Sequence, residues 1–229
     1  MNWSLEDFVY GATDGAVTTF AVVAGVIGAS LSPSIVLILG FANLLADGLS
    51  MAVGNYLSAK TRLEYIEKAR KREEWEIDNL VDQEKQEIRE IYAKKGFREE
   101  LLEEIVRIIT SRRKVWVDTM MREELGLIED NSRRPLETAI TTFVAFNLVG
   151  LIPLLPFVAM FIAGSEAVTP SDAFAYSIVS TCVAFFLIGA VKGKLLQKHL
   201  KRSGINTLLI GGIAASVAFV VGYLLNLVV

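Results

Sequence analysis

Cysteine and histidine are almost absent from this 229-residue chain, which contains one of each. The single cysteine, Cys182, excludes a disulfide framework and leaves the redox compartment open. The single histidine, His199, stands among lysines, where a surface residue is expected rather than a metal ligand. The sequence also lacks a phosphate-binding P-loop, a histidine-based metal-hydrolase motif and a nucleophile elbow. We therefore predict that the protein is not an enzyme, carries no prosthetic group and binds no nucleic acid.

Lysine and arginine are missing from three long parts of the chain, residues 1–59, 135–191 and 203–229. These parts hold most of the apolar residues of a sequence that is 52% hydrophobic, with a mean hydropathy of +0.44. Five apolar runs each reach the ~20 residues that a helix needs to span a bilayer. They cover residues 8–30, 33–59, 135–164, 168–191 and 204–229. The sequence predicts an all-α membrane protein with five transmembrane helices.

A charged insert separates the second run from the third and holds 18 of the 23 lysines and arginines. It has no proline and only two glycines, Gly96 and Gly126, which favours long amphipathic helices. We predict that the second span continues to about Asp78 and that further helices cover residues 82–94, 98–110 and 114–125. The predicted core of the insert comprises Ile88, Tyr92, Leu101, Leu102, Ile105, Ile108 and Ile109. The predicted domains are residues 1–59, a cytosolic helical domain at 60–134, and 135–229.

The positions of the basic residues also predict the orientation in the membrane. The remaining five bases lie at positions 192–202, so both basic segments follow even-numbered spans and fall on one side, which the positive-inside rule makes cytoplasmic. Arg133 and Arg134 flank the third span directly, whereas the opposite loops contain only one charge, Glu166. The N terminus and the insert should then be cytoplasmic. The first run lacks a basic leader and contains Asp14, so it is not a cleavable signal peptide.

Polar residues recur along one side of the second span. Asn43, Asp47, Met51 and Asn55 are spaced by four, which stacks them on one face of a helix. A carboxylate in hydrocarbon costs at least ~2.5 kcal/mol unless it meets water, a partner or an ion. Asp14, between Gly11 and Gly15 of the first span, poses the same problem; it either lines a pathway or caps a kinked helix start.

Acidic residues are paired within the insert. Glu73 and Glu76 form one E-x-x-E motif, Glu84 and Glu87 a second, and Glu124 follows Met120 and Met121. Carboxylates three positions apart point the same way from a helix and can bridge divalent ions. Oxygen ligands with a thioether and no imidazole favour Fe²⁺ or Mn²⁺ over Ca²⁺ or Mg²⁺. The spacing alone is a weak signal and favours a solvated helix face over a metal site.

Two further features concern the last three spans. Pro153 and Pro156 should kink the third span and free backbone carbonyls, which are either ion ligands or the result of a packing kink. The final span, with Gly211, Gly212 and Ala215, is predicted to be a packing helix without chemistry of its own.

Four stretches together resemble the vacuolar iron transporter family, whose members move ferrous iron, and in some cases manganese, out of the cytosol. They are ATDGAVTTFAVVAG in the first span, DGLSMAVGNYLSAKT in the second, MMREELGL at the end of the insert and NLVGLIPLLPF in the third. The resemblance covers essentially the whole chain. It implies a homodimer with an ion path at the subunit interface, and exchange of Fe²⁺ for protons.

The resemblance also implies roles for particular residues. Asp14 and Met51 fall on path positions; Asn43 stands where better-known members have a glutamate, and Asp47, one turn further on, is the candidate replacement for that carboxylate. The implied metal ligands of the insert are Glu73, Glu76, Glu84, Glu87, Met120, Met121 and Glu124. The membrane would be the cell membrane of a prokaryote or the vacuolar membrane of a eukaryote.

Three hypotheses remain. The first is a secondary transporter that gathers Fe²⁺, or Mn²⁺ or Zn²⁺, on the insert and carries it past membrane carboxylates in exchange for protons. The second is a membrane-anchored metal buffer or sensor that does not transport. The third, a membrane-tethered helical interaction module, leaves Asp14 and Asp47 without a purpose. Metal-dependent flux into proteoliposomes distinguishes the first, and metal binding without flux the second.

Overall fold

The computed structural model describes residues 5–128, 134–163 and 168–228, with the side chain of Leu195 excepted. Arg133 and Glu166, which entered the prediction of orientation, lie outside the described residues. All regular structure in these ranges is helical, which confirms the predicted all-α class. The helices are α1 (Leu5–Gly28), α2 (Pro33–Asn79), α3 (Val81–Lys94), α4 (Glu99–Thr110), α5 (Arg113–Glu123), α6 (Pro135–Gly150), α7 (Leu155–Ala163), α8 (Pro170–Leu195) and α9 (Leu200–Asn226).

Five helical stretches are long and apolar enough to cross a membrane, which confirms the predicted number of spans. They are α1, α2, the pair α6 and α7, α8, and α9. The third is interrupted by a 3₁₀ turn at Ile152–Leu154, where Pro153 and Pro156 prevent a continuous α-helix. The carbonyl of Pro153 accepts a hydrogen bond of 2.7 Å from Ser177 Oγ on α8. This carbonyl is therefore engaged in packing, which favours the packing-kink interpretation.

The contacts divide the chain into two compact units, one of residues 1–57 and 134–229 and one of residues 58–133. In the first unit α1 is the central helix, because its glycines allow other backbones to approach. A Cβ on Gly15 would lie 2.3 Å from the carbonyl oxygen of Phe146 on α6, and one on Gly28 would lie 2.4 Å from that of Phe219 on α9. Such small-residue contacts let membrane helices pack closely without a hydrophobic driving force between them.

The second unit consists of the C-terminal part of α2 with α3, α4 and α5. Its helix bounds agree with the predicted ones to within two residues. The predicted core is correct for Ile88 and Ile109, which are buried, but wrong for Leu101 and Ile108, which are 56% and 55% exposed. α4 turns one face to the core through Ile105, Val106 and Ile109. Leu101 and Ile108 lie beside that face and are exposed. The core also contains Ile66, Ile77, Trp116, Val117, Met120 and Met121.

Two glycines of α9 provide a test of the close helix contacts. A Cβ on Gly222 would lie 2.1 Å from the carbonyl oxygen of Gly25 on α1, whereas a Cβ on Gly212 meets no atom within 4 Å. Gly222→Ala should lower the free energy of unfolding by about 1–3 kcal/mol through overpacking. Gly212→Ala should leave it unchanged or raise it, because alanine is the better helix former. Thermal unfolding of both variants in detergent measures the difference, and equal melting temperatures would contradict the proposed packing.

Candidate metal sites

The first candidate site lies within the membrane-spanning unit, on α1 and α2. α1 is continuous from Leu5, so Asp14 lies well inside the helix and does not cap its start. Asp14 is half-buried, and its carboxyl group is close enough to that of Asp47 on α2 for the two charges to repel each other. Asp47 is exposed on the single chain. The structure thus brings together two of the predicted path residues, as a pair of carboxyl groups on neighbouring helices.

Asn43 belongs to the same site, but its hydrogen-bond partners are uncharged hydroxyl groups. Its Nδ2 lies 3.4 Å from both Thr18 Oγ1 and Thr19 Oγ1 on α1 and donates to them. Thr18 Oγ1 in turn donates to the backbone oxygen of Asp14, at 2.9 Å. Sequence reasoning did not single out these threonines, although Thr18 follows Asp14 by one helical turn on the same face. Asn43 is thereby fixed as a bridge from α2 to α1 beside Asp14.

Met51 and Asn55 differ from Asn43 and Asp47 in their surroundings. Met51 is partly buried against the apolar core of the unit. Asn55 Nδ2 donates a 2.7 Å hydrogen bond to Thr142 Oγ1 on α6, so its amide joins two helices. Of the four residues in the stripe, Asp47 alone combines exposure with a charge.

The second candidate site is the group of five glutamates in the unit of residues 58–133. Glu73 and Glu76 come from the C-terminal part of α2, Glu84 and Glu87 from α3, and Glu124 from the end of α5. Glu73 and Glu84 are only 2% exposed. One carboxyl oxygen of each is buried without a hydrogen-bond partner. Each of these two buried carboxyl groups therefore has an oxygen without the donor that normally accompanies a buried charge.

Burial, and after it the neighbouring charges of Glu124, Glu76 and Glu87, together raise the pKa of Glu73 from its usual value near 4.5 to about 7. Burial likewise raises the pKa of Glu84 to about 7, with contributions from the other four glutamates. The pKa of Glu124, the most exposed of the five, is also raised. The glutamates thus form one electrostatically coupled group in which protons bind near neutral pH.

Two members of this group, Glu76 and Glu87, accept hydrogen bonds from polar neighbours. Arg72 Nε donates a 2.9 Å hydrogen bond to Glu76 Oε1, and Gln83 Nε2 donates one of 3.1 Å to Glu87 Oε1. Arg72 also lowers the pKa of Glu73 and Glu124, although its effect is smaller than those of burial and of the carboxylates. The net charge of the group stays negative when its members are ionised.

Met120 and Met121, predicted as soft ligands, are buried in the apolar core of the same unit, with exposures of 0% and 2%. In the part of the chain that the structure describes, no three histidine, cysteine or acidic side chains are arranged to hold one metal ion. The glutamates therefore interact through their charges without forming a ready-made coordination site. Metal binding by these seven residues remains a prediction.

The fold and these groups define a class of protein: a helical membrane protein with five spans, carboxyl groups on two adjoining spans, and a separate helical unit that contains an acidic group. Comparison with known proteins narrows this class. The model of the VIT family matches residues 5–223, and the chain belongs to that family.

Curated relatives agree with this assignment. The vacuolar iron transporter of Toxoplasma gondii is 41% identical over 226 residues, which cover 96% of this chain and 74% of the relative. Vacuolar iron transporter 1 of Arabidopsis thaliana is 36% identical over 215 residues, covering 94% and 83% of the two chains. The vacuolar iron transporter of Plasmodium falciparum is 34% identical over 228 residues, covering 97% and 82%.

The raised pKa values predict that stability depends on pH. Glu73 and Glu84 keep their protons to about pH 7 in the folded protein and lose them near 4.5 in the unfolded chain. The folded state therefore binds more protons between these values, and raising the pH through this window favours unfolding. With a chelator present, the free energy of unfolding should fall by a few kcal/mol from about pH 5 to 8, since each pKa unit is worth about 1.4 kcal/mol.

Tryptophan fluorescence can follow this unfolding, because Trp75 and Trp116, two of the three tryptophans, belong to this unit. Glu73→Gln with Glu84→Gln should flatten the dependence and stabilise the protein at pH 8. The control pair Glu99→Gln with Glu100→Gln, both exposed, should retain it. An unchanged slope in the first pair would mean that other groups cause the pH effect.

Proposed function

We propose that this protein is a secondary transporter that moves Fe²⁺ out of the cytosol in exchange for protons, with Mn²⁺ and Zn²⁺ as further candidate substrates. The observation that carries the proposal is the group of five glutamates with two buried carboxyls that titrate near pH 7. Membership of the VIT family supports the choice of metal, since relatives of this chain are named vacuolar iron transporters.

In this proposal the five glutamates of the unit of residues 58–133, which we call the acidic group, capture the metal on the cytosolic side. Glu73, Glu76, Glu84, Glu87 and Glu124 would supply hard oxygen ligands, with Met120 or Met121 as a softer one after a local rearrangement of the core. Carboxyls with a pKa near 7 bind a metal ion only by giving up protons, so affinity should fall steeply below neutral pH. The group would therefore release its metal wherever the pH is lower.

The carboxyl groups of Asp14 and Asp47 would carry the metal within the membrane. Because they are close enough to repel each other, a divalent ion or a proton is favoured between them. Competition between the two ions for the same carboxyls would couple the flux of metal to that of protons. Asn43 and Met51 would line the same path.

A homodimer would complete that path. Asp47 is exposed on the single chain, as are Ile38, Leu45 and Leu49 of the same helix. An ionised aspartate facing lipid is costly, whereas a second copy of α2 would place it at a protein interface. The proposed transporter is therefore a homodimer whose insert and N terminus are cytoplasmic.

A metal buffer or sensor is the second candidate function. It is favoured by one observation, namely that all five glutamates belong to the unit of residues 58–133 and could bind metal without any transport. Fe²⁺ uptake into proteoliposomes under a proton gradient separates the two functions. Binding without uptake would establish the buffer and contradict the transporter.

Substitution of the membrane carboxylates tests the path. Asp14→Ala and Asp47→Asn should each reduce Fe²⁺ flux at least about tenfold, the effect of losing roughly 1.4 kcal/mol of ion binding. Metal binding to the acidic group should stay unchanged in both variants. Asp172→Asn, at an exposed capping box that starts α8, is the control and should retain its flux. Full flux in Asp47→Asn would show that Asp47 is not the substitute carboxylate.

A second pair of variants tests the acidic group. Glu76→Gln with Glu84→Gln should abolish the rise in melting temperature that Fe²⁺ or Mn²⁺ produces, because binding to the folded state alone stabilises it. Glu99→Gln with Glu100→Gln removes the same charge from exposed positions and should preserve the rise. Titration calorimetry of the full-length protein gives the stoichiometry. Wild-type binding by both pairs would mean that the acids are a solvated helix face.

A further inference from the structure

A basic cavity lies at the turn between α8 and α9, and none of its lining residues belongs to either acidic site. Its volume is about 770 Å³. The basic residues that line it are Lys192, Lys198, His199 and Arg202; Ser203, Asn206 and Thr207 add hydroxyl and amide groups. The final span therefore begins with a concentration of hydrogen-bond donors, although the sequence predicted only packing for it.

Within the described ranges, the cations of this turn have no acidic partners. The sequence contains no aspartate or glutamate after Asp172, and none of the described lysines and arginines of residues 192–202 takes part in an ion pair. α9 adds its own positive end: His199 stands at its N-cap without a side-chain capping bond, so the first backbone N–H groups of the helix are not capped by it. An anion would neutralise both contributions.

Close packing of the two helices holds these cations together. A Cβ on Gly189 would lie 2.6 Å from the carbonyl oxygen of Ser203, and one on Gly193 would lie 2.8 Å from the Cβ of Ser203. The turn is closed by a 2.8 Å hydrogen bond from the Lys198 N–H to the Gly193 carbonyl and by Gln197 in the left-handed region, with φ of 52°. The basic side chains therefore start from a fixed backbone rather than from a flexible linker.

We propose that this cavity binds the phosphate group of an anionic membrane phospholipid. Several cationic side chains and the N–H groups of the first turn of α9 suit a phosphate, whose oxygens accept several charge-assisted hydrogen bonds. The lipid is favoured over a soluble phosphate because the cavity lies at the ends of two helices long and apolar enough to span a membrane. Its wall also includes Leu196 and Ile210, which are apolar and 53% and 64% exposed, where an acyl chain could lie.

The test compares two double variants that remove the same charge from the same turn. Lys198→Gln with Arg202→Gln changes two residues that line the cavity, whereas Lys194→Gln with Lys201→Gln changes two exposed residues that do not. The probe is short-chain phosphatidylglycerol added to the full-length protein in neutral detergent, with binding measured by native mass spectrometry and thermal stabilisation. Phosphatidylcholine of the same chain length and inorganic phosphate are the comparison ligands.

Wild-type protein and the Lys194/Lys201 variant should bind phosphatidylglycerol with similar affinity, and the Lys198/Arg202 variant at least about tenfold more weakly. Equal weakening in both variants would show diffuse charge attraction and overturn the proposal. Equal binding of phosphatidylcholine would overturn it too, and inorganic phosphate binding as tightly as phosphatidylglycerol would assign the cavity to a soluble anion. If the Lys198/Arg202 variant does not fold, the singles Lys198→Gln and Lys194→Gln are compared in the same way.

Discussion

A carboxyl group removed from water needs a proton, a cation or a hydrogen-bond donor, and the features that bear on function in this molecule follow from that need. Glu73 and Glu84 are buried, each with one oxygen that lacks a partner, and their pKa values rise to about 7. Asp14 and Asp47 face the same requirement on spans long and apolar enough for a bilayer. Each set holds charge that the fold leaves uncompensated, and an ion that binds there removes the penalty.

The two sets of carboxyl groups differ in how they are supported. Around Asp14 the helix backbones approach closely through glycine, and Thr18, Thr19 and Asn43 form a fixed set of hydrogen bonds. Around Glu73 and Glu84 the support is an apolar core that contains Met120 and Met121. The membrane site is thus built from short polar side chains between packed helices, whereas the acidic group rests on larger side chains that can rearrange more easily.

Opposite charges are concentrated at separate places along this chain. The five glutamates occupy one helical unit, and the unpaired cations of residues 192–202 occupy a turn of the other. Binding of a metal ion requires grouped carboxylates, whereas binding of an anionic lipid requires grouped cations. The small net charge of −3 does not reveal either group, because bases and acids are nearly equal in number over the whole chain.

The sequence by itself determined the class, the five spans and, within the insert, the bounds of the helices to within two residues, because apolar run length, proline and helical periodicity are local properties. It also drew attention to the acidic residues, but spacing could not distinguish a coupled group from a solvated face. Only the tertiary structure decided that Glu73 and Glu84 are buried, that Leu101 and Ile108 are exposed, and that Asn43 is held by two threonines. These outcomes depend on which side of each helix meets its neighbours, a matter of packing between residues far apart in the chain.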